Sequence, residues 1–333
     1  MFKENLIFQK IKEKIGFLIF VFISLFLIYI LFQSRPISNF GEEKFFKISK
    51  GESFLDINQA LYKEKLIRSR LAFGFWGYLT GKALKIQEGT YKLNTNLSIF
   101  DILYLLSSGK GREAVVIIPP GKTIYEIDFI LSSNKILKSK ELINYAKKFN
   151  LSLEGKLTPD TYIFYYDSTP EEVVKKMLSN FDTKIKPLIE KYHADETSTL
   201  ILASIIEKEA PYFEDRKIIA GILLKRLKLN MHLNVDATIC YIKILQKEEP
   251  TPCLPLTPLD FKINSPYNTY VYKGLPPTPI SNPGQEAVLA VLTPKETDYL
   301  YYLTDPQTKK TIFSKTLEEH NKNILRYLKN NLW

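Results

Sequence analysis

The sequence predicts an α+β protein with a single N-terminal transmembrane helix. Three observations carry that prediction. An unbroken apolar run spans Ile15 to Phe32, interrupted only by Gly16 and Ser24. A strand, helix, helix, strand, helix order follows over residues 44–110. Beyond it, helical patterns dominate, with short β-prone runs between them.

The apolar run comes first. At about 1.5 Å per residue it just crosses a bilayer core of roughly 30 Å. Lys3, Lys10, Lys12 and Lys14 precede it, and Arg35 alone lies close after it. This bias places residues 1–14 in the cytoplasm and everything after the 15–32 span outside. The run is too long for a typical signal peptide, and no small-x-small site follows before Gln33-Ser34-Arg35-Pro36, so an uncleaved anchor fits better. The expected location is the cytoplasmic membrane, single-pass, with the bulk of the chain extracytoplasmic.

Residues 33–43 are polar, with Pro36 and Gly41, and read as a linker. Phe45 to Ile48 reads as a strand. Gly51-Glu52-Ser53 turns and caps a helix from about 54 to 65, and a second helix runs over 69–80. Residues 89–93 form a strand after a turn. Ser98 caps a helix over 99–107 that stops at Gly109. Together these make a small α+β module over 44–110.

Ala114 to Ile118 is strongly β-prone and closes at Pro119-Pro120-Gly121. Thr123 caps a helix over 124–132, and further helices are expected over 139–149 and 170–192. Leu153 to Tyr162 has loop chemistry. A helix containing Glu207 comes next, then one over 213–228 leading to Asn234-Val235-Asp236. Residues 250–284 are rich in Pro, Asn, Ser and Tyr. Prolines stiffen such a segment, and its amides and hydroxyls suit sugar binding. The alternative is a connector whose prolines merely discourage edge pairing. After Glu286 the reading gives a helix, a strand over 299–304 and a last helix over 316–329. A connecting subdomain takes about 111–190 of the domain spanning 111–333.

Composition narrows the function. Hydrophobic residues make up 45% and aromatics 13% of the 333 residues, enough for real cores. The formal net charge is +10. The charges form no long Lys/Arg tract, so no nucleic-acid role is expected; anionic headgroups and wall polymers suit them better. Cys240 and Cys253 are the two cysteines and fit no common zinc or redox spacing. In an exported chain they can form a disulfide or remain half-buried thiols. The three histidines, His193, His232 and His320, are scattered. No metal site and no phosphate-binding glycine loop is expected.

The chemistry is concentrated in Leu202 to Ala210. This helix is apolar on nearly every side, yet it carries Glu207 and Glu209. Such a helix is normally buried, and burial disfavours a carboxylate, so a raised pKa is expected there. A carboxyl group protonated near neutral pH can serve as a general acid. The alternative is ion pairing with the basic Arg216 to Lys228 stretch.

Several motifs in fixed order resemble the YceG-like endolytic murein transglycosylase family. They are Ala203 to Glu209, Glu154-Gly155 with Pro159-Asp160-Thr161-Tyr162, Asp236, Tyr267 to Tyr270, Gly274-Leu275-Pro276-Pro277 with Pro283-Gly284, and Phe313 with His320-Asn321. The resemblance covers roughly 44–328 and includes the single anchor. It implies a LysM-like first module and a catalytic domain facing peptidoglycan. It also implies cleavage of nascent strands at the MurNAc-β-1,4-GlcNAc bond, leaving 1,6-anhydroMurNAc ends. The family's catalytic glutamate carries over to Glu207 as general acid and base, with no cofactor. Peptidoglycan synthases and division proteins are implied partners. Asp236, Asn268, Tyr270 and Glu209 are candidates for positioning the glycan or orienting Glu207; their alternative role is to hold loops together. Where relatives often carry aromatics after Glu154-Gly155, this chain has Lys156-Leu157. The competing functional reading is a non-catalytic, membrane-anchored wall-binding scaffold. A third is a hydrolase in which Asp236 activates water.

Overall fold

Side-chain caps set most helix starts in the computed structural model, which describes residues 2–253, 255–308 and 310–329. Met1 and residues 330–333, at the two ends of the domains read from sequence, lie outside the described residues. The chain divides into two compact units, 1–114 with 165–167, and 115–164 with 168–333.

The first unit begins with α1 (Phe2–Gln33). Its Ile11–Gln33 portion is long and apolar enough to cross a membrane, by length and composition. β1 (Glu43–Ile48) and β2 (Gly89–Asn94) pair antiparallel, from Glu43 opposite Asn94 to Ile48 opposite Gly89. Between them lie α2 (Phe54–Lys63) and α3 (Arg70–Leu79), capped by the hydroxyls of Ser53 and Ser69. Ser98 and Asp101 form a capping box on α4 (Ile99–Ser108), and Gly109 ends it at φ 77°. Strand alternation buries Phe46, Ile48, Tyr91 and Leu93 against Leu61, Phe73 and Ile102. The strand, helix, helix, strand, helix order is the one expected from the sequence.

The second unit is mostly helical. β3 (Glu113–Ile118) pairs with β4 (Asp160–Tyr165), and the division between units falls within both strands. The loop read over Leu153 to Tyr162 holds over 153–159, and β4 corrects its last three residues. Its alternation buries Tyr162 and Phe164, and the partner strand that fixes it lies far away in sequence. α5 (Ile124–Ser133) and α6 (Glu141–Lys148) follow β3. The helix expected over 170–192 is two, α7 (Pro170–Lys184) and α8 (Lys186–Lys191), broken at Ile185 before Pro187. α9 (Glu196–Glu209) and α10 (Phe213–Lys228) come next. α11 (Asp236–Lys247) is a helix that the sequence reading missed.

Among the described residues of 248–284, regular structure is limited to a 3-10 turn at Asp260–Lys262 and the bridge of Asn282 with Lys122. A disulfide joins Cys240 in α11 to Cys253 in this segment. The chain closes with α12 (Gln285–Leu292), the antiparallel pair β5 (Tyr301–Thr304) and β6 (Thr311–Ser314), and α13 (Leu317–Ile324). The last helix read over 316–329 changes to a π turn at Leu325–Lys329.

α9 is the axis of this unit's core. Leu200 to Ile206 are all buried. Ile219 and Leu223 of α10, Ala287 and Val288 of α12, and Phe181, Leu233 and Tyr241 belong to the same cluster. Each fully buried aliphatic side chain contributes about 1.5–3 kcal/mol by leaving water. That continuous apolar jacket fixes where the last turn of α9, with its two glutamates, must sit.

Candidate active site

Glu207 lies in the last turn of α9. The helix stops at Ala210 because Pro211 follows and cannot extend it. The chain turns back into α10, whose first turn brings Arg216 beneath the end of α9. The Arg216 guanidinium donates from Nε to the Ala210 carbonyl at 2.7 Å and from Nη2 to Glu207 Oε1 at 2.6 Å. One side chain thus caps the helix and holds the carboxyl group. The pair is buried, with side chains 9% and 5% exposed. The exposed carboxylate of Glu286 lies 3.5 Å from Arg216 Nη1.

The other oxygen is held by backbone. The Gly284 N–H donates to Glu207 Oε2 at 2.9 Å. Two glycines let main chain come this close. A Cβ on Gly284 would lie 3.4 Å from Glu207 Oε2, and one on Gly121 would lie 3.3 Å from Glu207 Cγ. Gly121 also has φ +77°, which L side chains rarely adopt.

The loop bearing Gly284 is sewn down on both sides. Ile280 N–H donates to Ser204 Oγ, and Ser281 Oγ donates to the Ser204 carbonyl, each at 3.0 Å. Asn282 is fully buried. Its Nδ2 donates to the Lys122 carbonyl at 2.9 Å and to Glu154 Oε1 at 2.8 Å, and its Oδ1 accepts from Leu157 N–H at 2.8 Å. Asn282 N–H donates to Lys122 O, and Gly121 N–H donates to Asn282 O. Glu154 also accepts from Ile124 N–H and from the Tyr241 hydroxyl at 3.2 Å. Burial pushes the Glu154 carboxyl up to about 8 despite these donors. The segments near residues 122, 154 and 282 therefore meet at one buried knot, and two of them wall Glu207.

Glu209 points into a separate cluster. Its Oε2 accepts from the Tyr302 hydroxyl at 2.9 Å. Burial raises its carboxyl to about 7, with the Asp236 charge adding to the rise and Arg226 opposing it. The upward shift expected on this helix falls on Glu209. Asp236 is exposed and accepts from the Tyr270 hydroxyl. Burial and the Asp236 bond both push the Tyr270 hydroxyl up. Arg226 donates to the carbonyls of Leu300 and Leu233.

Asp236, Tyr270 and Glu209 thus share one neighbourhood, apart from the partners that hold Glu207. Asn268 is fully buried; its amide donates to the Phe261 and Ile263 carbonyls and its Oδ1 accepts from Tyr270 N–H. Those bonds fold the 261–270 loop. Arg216 and Asn282 were not singled out from the sequence. Arg216 had only its place at the head of a basic stretch, and Asn282 only its place in a Pro-rich motif.

A family model described as the YceG-like family matches residues 46–326. This chain belongs to the YceG-like family. A Bacillus subtilis (strain 168) protein named endolytic murein transglycosylase is 31% identical over 309 residues, which span 84% of each chain. A protein of the same name from Streptococcus pneumoniae serotype 2 (strain D39) is 26% identical; the match spans 86% of this chain and 58% of that one. A crystal structure of a yceG-like protein from Listeria monocytogenes superposes with a TM-score of 0.54 at 31% identity, over 85% of this YceG-like chain and 100% of that one.

Proposed function

We propose that this YceG-like chain is a membrane-anchored endolytic peptidoglycan transglycosylase. It cleaves the MurNAc-β-1,4-GlcNAc bond of nascent strands and leaves 1,6-anhydroMurNAc ends. The observation that carries the reading is the setting of Glu207: one buried carboxyl group, gripped at one oxygen by Arg216 and at the other by a backbone N–H. The names of the relatives supply the substrate class.

A single carboxyl group is enough for this reaction. Hydrolytic glycosidases commonly need a second carboxylate as nucleophile or to activate water. Here the C6 hydroxyl of MurNAc is the nucleophile and is already tethered to the sugar, which gives the advantage of proximity. Glu207 delivers a proton to the departing GlcNAc O4 as the C1–O bond breaks. The C6 oxygen closes on C1, and its proton passes to the carboxylate that remains. Between those events the negative charge sits beside the Arg216 guanidinium and the Gly284 N–H, both oriented beforehand. Each carboxylate oxygen has two lone pairs, so each keeps one for the substrate.

α1 supports the anchored topology: N-terminus in the cytoplasm, catalytic domain outside. The strand, helix, helix, strand order of the first unit supports a LysM-like module that retains glycan. Synthases and division proteins that work on the same nascent strands are the proposed partners. In this reading Asp236 and Tyr270 position the glycan.

The test is mass spectrometry of uncrosslinked glycan strands incubated with the full chain in lipid vesicles, beside its Glu207→Gln form. Anhydro-ended fragments from the parent alone support lytic cleavage through Glu207. Reducing ends instead mean hydrolysis. Intact strands from both forms favour a wall-binding scaffold.

A further inference from the structure

Within the first unit, α1 meets folded protein before its apolar run ends. The Phe26 ring packs edge-to-face on Phe75 of α3, with centroids 5.9 Å apart. Ile30 is 0% exposed and belongs to the same core as Phe46, Leu61 and Phe73. Trp76 Nε1–H donates to Ser34 Oγ at 2.9 Å. Phe26 lies about 9 Å short of Phe32 along the helix axis at the α-helical rise. α3 therefore runs beside the last turns of the very segment read as the membrane span.

Nor is the residue 33–43 stretch loose. Arg68 donates to the carbonyls of Pro36 and Ile37 at 2.7 and 3.1 Å, and Ser38 N–H donates to the Thr95 carbonyl. Such bonds hold the unit in one attitude to α1.

The face of α3 turned away from the core is apolar. Ala72, Phe73 and Gly77 point inward. Leu71, Tyr78 and Leu79 recur at helical spacing on the opposite side, and half-buried Phe75 borders them where it packs on Phe26 and the core. Leu71, Tyr78 and Leu79 are 54%, 58% and 65% exposed, and Leu84 beyond the helix is 89% exposed. A contiguous apolar stripe of this kind marks a contact surface. Arg70 opens the helix, and Lys82 and Lys85 follow it. Apolar and aromatic residues bordered by cations are the chemistry of the bilayer interface.

We propose that α3 and the turn after it form a lipid-contacting surface that seats the first unit in the outer leaflet. Lys82 and Lys85 face its anionic headgroups. The inference rests on the reading of α1 as a membrane span. Phe75 ties the stripe to that span, and this continuity selects a leaflet over a second copy of the chain.

The test uses the full chain in nanodiscs containing anionic lipid. Cys240 and Cys253 are joined, so one introduced cysteine provides the single free thiol for an environment-sensitive fluorophore. Probes go at Phe22→Cys in the span, Leu79→Cys in the stripe and Leu229→Cys, an exposed position of the second unit, and spin-labelled lipids serve as quencher. The expected result is strong quenching at 22 and 79 and none at 229. Quenching at 22, with the probe at 79 behaving like that at 229, overturns the lipid surface and leaves the anchor standing. No quenching at 22 removes the span and the proposal together. A probe at 79 shielded from both lipid and aqueous quenchers means that protein covers the stripe, which also overturns it.

Discussion

Arg216 binds the Glu207 carboxyl group and the Ala210 carbonyl through adjacent nitrogens of one guanidinium, at 2.6 and 2.7 Å. The side chain that satisfies the helix end thereby also orients the carboxyl group. The planar fork of arginine can do this; the point charge of lysine cannot.

Arg216→Ala removes both functions. Taking away one partner of a buried pair costs about 3–5 kcal/mol, and a misplaced catalytic group costs about a hundredfold in rate. Arg216→Lys keeps the charge without the fork and should fall between parent and alanine form. Thermal unfolding and the rate of anhydro-end release, measured on the same preparations, check both effects. A parent-like rate in Arg216→Ala would show that Glu207 is held by other means.

The knot at Asn282 makes a separate prediction. Asn282→Ala deletes hydrogen bonds to Lys122, Leu157 and Glu154. Orphaned buried partners cost about 1–3 kcal/mol each. Glu154→Ala removes the carboxyl group shared by Asn282, Ile124 and Tyr241, so it too should destabilise. Both changes loosen the loop that delivers the Gly284 N–H, two residues beyond Asn282. The expected kinetic signature is a fall in kcat with a smaller change in KM. The reverse pattern would place the knot at the glycan-binding surface.

Cys240 and Cys253 enclose a closed loop with a sequence separation of 13. A crosslink of that length stabilises by about 3 kcal/mol through the unfolded chain. The Cys240→Ser, Cys253→Ser double variant should unfold at correspondingly lower urea. It leaves the contacts of Glu207 untouched, so the glycan-cleaving rate at low temperature should stay near the parent value.

These relationships differ in how far sequence could reach them. Caps at Ser53, Ser69, Ser98 and Thr123 are local, and the helices they open are legible. So is 213–228, which matches α10 from end to end. β4 is not, because Pro159 and Asp160 look like loop and the strand's alternation has meaning only against β3. α11 begins straight after the irregular Asn234-Val235, whose place at the end of a polar stretch hides the periodicity that follows. At the site, the Glu207–Glu209 pair stands out from its apolar helix. Only part of what faces them does: Arg216, nine residues from Glu207, opens the basic stretch read as the alternative ion-pair partner, whereas Gly284 is 77 residues from Glu207 and Tyr302 is 93 from Glu209. Glu207 thus meets a nearby arginine, while long-range packing gives Glu209 a tyrosine.

That last difference has a pH consequence. The Glu209 carboxyl stands at about 7 and Glu154 at about 8 in the fold, against 4.5 as their ordinary value. Between 4.5 and those values the folded protein binds more protons than the unfolded chain, so stability falls as pH rises. The contribution is fully present below about 4.5 and is lost as pH climbs through 7 and 8. Urea unfolding from pH 4.5 to 8.5 should show that decline. Glu209→Gln removes the part that ends near pH 7 while leaving the Arg216–Glu207 contact in place. Its stability should therefore vary less with pH than the parent's across pH 5–7. A parent-like slope in Glu209→Gln would mean that Tyr302 and Arg226 keep Glu209 ionised, and the neutral carboxyl would have to be sought at Glu154 alone.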